Sequence, residues 1–386
     1  MRDEMGILGG VDNLQWLFTG TLLVMTAAIP LFGWISSRYP RRQFLPFIYA
    51  LFIVMLLLFY AFMDEQQTPV YLARIFFIWA SVFNLFVVSV FWSFMADLFD
   101  NAQAKRLFGF IAAGGTLGAL TGPALTALLV EPLGTRNLLL ISALFLGAAI
   151  VCINRLSVWA KQNRSNIEHI QIENDEEPMG GSIWAGITTV MRSPYLLGIC
   201  LLMLLFTTLA TFLYLMQAQI IKDAFVDSAQ RTAVFASIDL AVNALTLVFQ
   251  LFLTSRLIQW LGLPFVLALV PMLLCAGFVL LGLSPVLTVF IAVQVIRRAG
   301  NYAVMRPARE MLYVVLDREQ KYKAKNVIDT VVYRFGDAVS AWVYAAIRSF
   351  GIGLSGIAFI AVPLALLWAW IAYRLGRQQA EIASQQ

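Results

Sequence analysis

Apolar residues fill this chain in blocks of about 20, the length that crosses the ~30 Å hydrocarbon core of a bilayer as an α-helix. Eleven such blocks are legible: 14–35, 43–62, 71–95, 107–130, 137–154, 195–218, 232–254, 264–283, 286–305, 327–347 and 352–373. Short polar connections separate them. The longest polar interval, 155–194, contains QNRSNIEHIQIENDEEPMGG, and its acidic run from Glu173 to Glu177 reads as a solvated linker. The pattern predicts an all-α membrane protein of two helical bundles, 1–154 and 195–386, joined by a linker over 155–194.

The two halves are copies of each other. Ser37, Arg38, Leu45, Pro46, Phe47, Ala50 and Leu51 recur as Ser255, Arg256, Leu263, Pro264, Phe265, Ala268 and Leu269, at a constant offset of 218. Asp97, Ala104 and Lys105 recur as Asp317, Ala324 and Lys325, and Arg2-Asp3 as Lys222-Asp223, at an offset of 220. A parallel repeat of this length is the mark of a two-bundle transporter with its site between the bundles. The block 195–218 then calls for a partner ahead of Met1, so the expected architecture is eleven of twelve helices, with a first helix preceding this Met1.

Charge distribution gives the orientation. The connections 36–42, 97–106, 155–194, 255–263, 306–325 and 374–386 carry 18 Lys and Arg; those on the opposite side carry 5. The positive-inside rule places the first set, with the linker and the C-terminus, in the cytoplasm. Met1 then starts on the far side with no signal peptide to carry it there, which again points to a preceding helix.

Composition narrows the function. The chain is 60% hydrophobic and only 13% charged, with a mean hydropathy of +0.79, against about 25% charged residues in a soluble domain. The net charge of +5 follows membrane sidedness, so no nucleic-acid partner is expected. Cys152, Cys200 and Cys275 lie far apart in apolar runs, and the single histidine, His169, falls in the linker. These residues form no metal-ligating or nucleophilic constellation, so neither an enzyme, a metal site nor a cofactor is expected. Gly114-Gly115-x-x-Gly118 lacks the G-K-[ST] of a phosphate loop and lies within an apolar block. It reads as close helix packing and bending, and an ATP-driven pump is unsupported.

Seven charges sit inside the blocks: Arg74, Asp239, Arg297, Arg298, Asp329, Arg334 and Asp337. Each costs about 3 kcal/mol or more to place there unpaired, which makes it a functional candidate. Gln294, Arg297 or Arg298, and Asn301 form a polar stripe at helical spacing, as do Asp239, Asn243, Thr246 and Gln250, and Asp329, Tyr333, Asp337 and Ser340. Adjacent helical residues diverge by about 100°, so one of Arg297 and Arg298 faces a cavity and the other a neighbouring helix. Arg334 and Asp337, one turn apart in VYRFGDAV, are placed to pair. With that pair neutral, Arg297 and Arg298 outweigh the remaining aspartates, and the mid-membrane field favours an anion. The expected substrate contacts are Arg297, Arg298, Asn301, Gln294, Arg74, Asp239 and Asn243. Asp239 or Asp337 is placed to titrate and couple transport to protons, because burial raises a carboxyl's pKa. The competing reading is that these polar groups simply bond helix to helix.

Two motifs carry a family resemblance. Gly33-x-x-x-Ser37-Arg38-x-Pro40-Arg41-Arg42 resembles the G-x-x-x-D-R-x-G-R-R/K gating loop of the major facilitator superfamily, with Ser37 and Pro40 replacing the usual aspartate and glycine. Gly118-x-x-x-Gly122-Pro123 resembles the fifth-helix motif of its exchangers and exporters. RDEMG, FWSFMADLF and AKRLFGFIAAGG look like a bacterial branch related to the ATP:ADP nucleotide antiporters, in which a Lys-Asp pair after the first helix helps hold phosphate; Arg2-Asp3 and Lys222-Asp223 are the matching positions. The resemblance implies the major-facilitator two-bundle fold, with 43–62, 137–154, 264–283 and 352–373 facing lipid. It implies a monomeric secondary active transporter of the bacterial inner membrane that moves a small anionic solute by alternating access. A nucleotide exchanger, or a proton-coupled exporter or lipid flippase of the same fold, is the alternative.

Overall fold

The computed structural model describes residues 1–38, 41–64, 68–98, 101–164, 188, 190–316, 324–325 and 327–385, without the side chains of 29–44, 101–106 and a few further positions. His169, the acidic run Glu173–Glu177, Pro40 and Asp317 lie outside the described residues, as do the side chains of Arg38, Arg41, Arg42, Asp97 and Lys105. The described chain is helical, with no strand among the described residues.

A short helix α1 (Arg2–Leu8) and a 3₁₀ turn (Val11–Asn13) lead into α2 (Leu14–Arg38), α3 (Arg41–Phe62), α4 (Val70–Leu98) and α5 (Asn101–Arg164). Then follow α6 (Pro194–Ala224), α7 (Ser228–Phe252), α8 (Thr254–Leu283) and α9 (Leu287–Gly300). A π-helical turn (Asn301–Met305) carries α9 into α10 (Arg306–Leu312). A second π turn (Val327–Val332) opens α11 (Tyr333–Ser349), and α12 (Leu354–Gln385) follows. The eleven apolar blocks fall on these helices, 107–130 and 137–154 both on α5, with ends shifted by as much as twelve residues. α1 escapes hydropathy reading because its seven residues make no spanning block.

Among the described residues, seven helical segments are long and apolar enough to cross a membrane by length and composition alone. α9 and α11 are not among them. They are only 14 and 17 residues long and carry the charges singled out above.

The chain forms two compact units: Met1–Asp175 with Phe225–Ser237, and Glu176–Ala224 with Ile238–Gln386. In the first, α1 and α2 pack on α4, and α3 on α5. Its core is aromatic: Phe52 meets Phe83 edge-on at 4.9 Å, and Trp79 stacks on Phe83 at 5.0 Å. In the second, α12 lies along α8, α11 lies on α6, and Trp368 is the largest fully buried side chain. Phe47, Phe62, Leu144, Phe265 and Trp370, from the four segments expected to face lipid, are exposed.

The repeat is visible in the backbone. Gly134 bends α5 between two apolar blocks, and Gly351 turns the chain between α11 and α12; they are 217 residues apart and share φ = 79°. Glycine adopts that left-handed region without the steric cost a Cβ brings. The glycines of 114–122 behave otherwise. A Cβ at Gly114, Gly115, Gly118 or Gly122 meets nothing within 4 Å among the described residues, so the close packing expected there is not seen, and the bend lies at Gly134.

Gly376 is the tightest approach of the α8–α12 pair. A Cβ there falls 2.5 Å from Pro264 Cα and 2.8 Å from its nitrogen, both backbone atoms that cannot rotate away. Gly376→Ala is therefore expected to destabilise the protein by about 1–3 kcal/mol. Gly114→Ala, in open helix, should be neutral or stabilise by up to ~1 kcal/mol. Thermal midpoints of the two purified variants check this.

Candidate functional site

The charges cluster in the second unit, on α7, α9, α10 and α11. On α9 the two arginines diverge as adjacent helical positions must. Arg298 Nη1 lies 2.6 Å from Asp239 Oδ1 on α7. Arg297 turns the other way: its Nε donates to Gln294 Oε1 at 3.0 Å, and Gln294 Nε2 donates to Gln217 Oε1 on α6. Both glutamines are buried, 2% and 4% exposed. Asn301 opens the π turn. That turn disrupts the regular ladder, and outside donors reach its carbonyls: Gln250 Nε2 bonds Tyr302 O at 3.4 Å, and Thr254 Oγ1 bonds Ala303 O at 2.8 Å. π turns of this kind often sit at functional sites. Asn243 lies one turn beyond Asp239 on α7.

α11 explains VYRFGDAV. Arg334 Nη1 stands 3.6 Å from Asp337 Oδ2, an ion pair across one turn, and the guanidinium lies 5.4 Å from the Tyr333 ring centre. A Cβ at Gly336 would collide with Thr207 Oγ1, so glycine is what lets α11 lie on α6. The close approach brings Thr211 Oγ1 within 3.3 Å of Asp337 Oδ1 and Ser340 Oγ within 2.9 Å of Thr208. Asp329 takes a different partner. Its carboxylate faces Arg309 of α10 at 3.4 Å, while Lys325 binds Glu310 at 2.6 Å. Arg309 also donates to Met203 Sδ at 2.7 Å.

These pairings change the charge balance read from the sequence. Asp239 neutralises Arg298 directly, and Asp329 is engaged by an arginine that the sequence placed in a cytoplasmic connection. The surplus is not Arg297 and Arg298 together. It is Arg297 alone, which has no carboxylate partner among the described residues. Its side-chain hydrogen bond goes to an uncharged amide, Gln294 Oε1.

Arg74 belongs to the first unit. Its Nε donates to Gly9 O at 2.8 Å, which ties the turn after α1 to α4, so this guanidinium is engaged by backbone. Arg2 pairs with its neighbour Asp3 at 2.8 Å, and Asp223 accepts two bonds from Gln219 at 2.9 Å. A pair that sequence reading missed is the most buried ion pair among the described residues. Glu4 (0% exposed) receives Arg231 Nε and Nη2 at 2.7–3.0 Å, while Arg231 Nη1 donates to Phe225 O and Val226 O. The two residues are 227 positions apart and carry no local signal. Gln217, Thr211 and Arg309 were missed as well. Gln217 ends an apolar block, where a polar residue reads as a boundary.

A polytopic helical protein whose embedded charges are paired across packed helices has the construction of a membrane transport protein. The chain belongs to the Major Facilitator Superfamily, whose profile matches residues 4–312. It is similar to the ADP,ATP carrier protein 1 of Chlamydia muridarum, 24% identical over 331 residues, covering 76% of this chain and 61% of that protein. The Chlamydia trachomatis protein of the same name is 24% identical over 331 residues and is covered to 62%. The chain thus spans about three fifths of the length of these curated relatives. In fold it resembles a bacterial homologue of the iron transporter ferroportin in an inward-facing state (TM-score 0.62, 11% identity, 97% of this chain and 93% of that one). It also resembles the nucleoside transporter NupG (TM-score 0.60, 12% identity, 99% and 90%).

The two sides of the α11 pair differ in exposure, Arg334 at 36% and Asp337 at 14%. Arg334→Leu leaves the less exposed member of the pair, the Asp337 carboxylate, without its arginine and is expected to cost about 1–3 kcal/mol. Asp337→Leu leaves an arginine that water reaches and should cost less. The double variant should recover part of the loss, and thermal midpoints of the four proteins measure the coupling.

Burial pushes the Glu4 carboxyl above the ordinary carboxylate range, against the opposing pull of Arg231. A raised folded-state value means that this group's contribution is full below its unfolded-state titration and is lost as pH rises through the folded-state value. The stability of the native protein relative to Glu4→Gln should therefore decline with rising pH. A gap that widens with pH would show that the ion pair outweighs burial.

Proposed function

We propose that the chain is a secondary active transporter that moves a small anionic solute across the bacterial inner membrane by alternating access. In this reading residues 1–154 and 195–386 are the two bundles, 155–194 is the cytoplasmic linker and the C-terminus is cytoplasmic. The observation that carries the anion is Arg297: three embedded arginines of the second unit have carboxylate partners, and this one is held by a neutral amide. A guanidinium presents a planar fork suited to carboxylate or phosphate oxygens. With Nε on Gln294, the two Nη groups are the atoms offered to a ligand. Asp337 is the better candidate for a coupling proton, being more buried than Asp239.

A nucleotide is the more specific cargo. It is supported by the ADP,ATP carriers, whose name gives their cargo, and by the nucleoside transporter of similar fold. The chain's coverage of those carriers and its 24% identity leave nucleotide exchange as the second reading.

The two arginines of α9 should separate. Arg297→Gln is expected to weaken binding of a phosphate-bearing probe such as ATP at least tenfold while leaving the thermal midpoint nearly unchanged. Arg298→Gln should instead leave binding nearly unchanged and lower the midpoint slightly, because it removes a part-exposed ion pair to Asp239. Titration of purified protein with ATP, ADP and inorganic phosphate measures the first effect. Undiminished binding by Arg297→Gln would remove the anion from this site.

A further inference from the structure

We infer that Gln217 and Gln294 form a neutral relay that sets charge selectivity by orienting Arg297 without neutralising it. The inference rests on the anion reading given above and deepens it. Neither glutamine is explained by packing: a buried amide costs several kcal/mol unless bonded, and an apolar side chain would fill either position at no such cost. Their orientations are fixed by elementary chemistry. A guanidinium only donates. Gln294 must therefore turn its oxygen to Arg297, and its NH₂ is left to face Gln217, whose oxygen accepts. The relay runs from α6 to α9, so the direction of the Arg297 side chain is set by a helix other than its own.

The contrast within the same unit is informative. Arg298, Arg309 and Arg334 are held by Asp239, Asp329 and Asp337. Glutamate differs from glutamine by one isosteric atom and would hold Arg297 by a stronger, charge-assisted bond. At 294 the sequence has the amide, which gives geometry and leaves the positive charge for a ligand. Gln217 is thereby a positioning residue: it does not reach Arg297, but it removes the freedom of the residue that does. The first residue of the π turn follows Arg297 by four positions, so the oriented side chain sits one helical turn before the break in the ladder.

Three substitutions test this in the full-length protein, with ATP, ADP and inorganic phosphate as probes and binding read by titration calorimetry. Gln294→Glu should fold, since Gln217 need only turn its amide over to meet a carboxylate. It should bind the anions at least tenfold more weakly and lose the preference for the more highly charged of ATP and ADP. Gln217→Met removes the acceptor without adding charge. It should weaken binding several-fold while the preference between ATP and ADP persists, a split that a merely structural role would not produce. Arg297→Gln identifies which idea has failed. If it abolishes binding while Gln294→Glu binds as the native protein does, the relay is overturned and the anion site stands. If it binds normally, or if the native protein binds none of the three anions, the anion site falls and the relay with it. A Gln294→Glu protein that does not fold also overturns the relay, because the space described must accept a carboxylate beside a guanidinium.

Discussion

A charge placed in a membrane-spanning helix must find a partner, and most of what is specific about this structure follows from that. The apolar blocks set the number and length of the helices, but any apolar sequence of the right length meets that demand. Arg298 with Asp239, Arg309 with Asp329 and Arg334 with Asp337 are different. Two of these pairs join separate helices and so set which faces meet, since a rotated helix would leave two embedded charges unmatched. Glu4 and Arg231 do the same in the first unit, joining α1 to the start of α7.

The same constraint gives Arg297 its meaning. In water an arginine without a carboxylate is unremarked, because solvent screens it. Among packed helices the missing counter-charge is itself a property of the site, and the neutral amides of Gln294 and Gln217 show that the position is bonded.

The helices were legible because hydropathy of this strength leaves few alternatives, and the repeat was legible because an offset of 218–220 holds through separate regions. The pairings were only partly legible. Arg334 and Asp337 are one turn apart, so helical geometry alone brings them together. Arg298 with Asp239 spans 59 positions and two helices, and periodicity says which face each occupies but not what faces it. Arg309 reads as a loop residue because polar residues after a block look solvated, whereas α9 continues through a π turn into α10 and leaves its side chain only 12% exposed. The two arginines of α9 read from the sequence as one source of charge, whereas Arg298 is matched by Asp239 and Arg297 bonds an amide.

The π turn at Asn301–Met305 has a consequence for how α9 and α10 are phased. A π turn accommodates one residue more than an α-helix of the same rise, so everything after it is rotated by about 100° relative to an uninterrupted helix. Were the same residues to run as an unbroken α-helix, Arg309 would swing away from Asp329 and Met203 toward another face, while Gln294 and Arg297, upstream, kept their places. The turn thus acts as a mechanical coupling with a fixed angle, joining an arginine held by a neutral amide at one end of the rod to one committed to a counter-charge at the other.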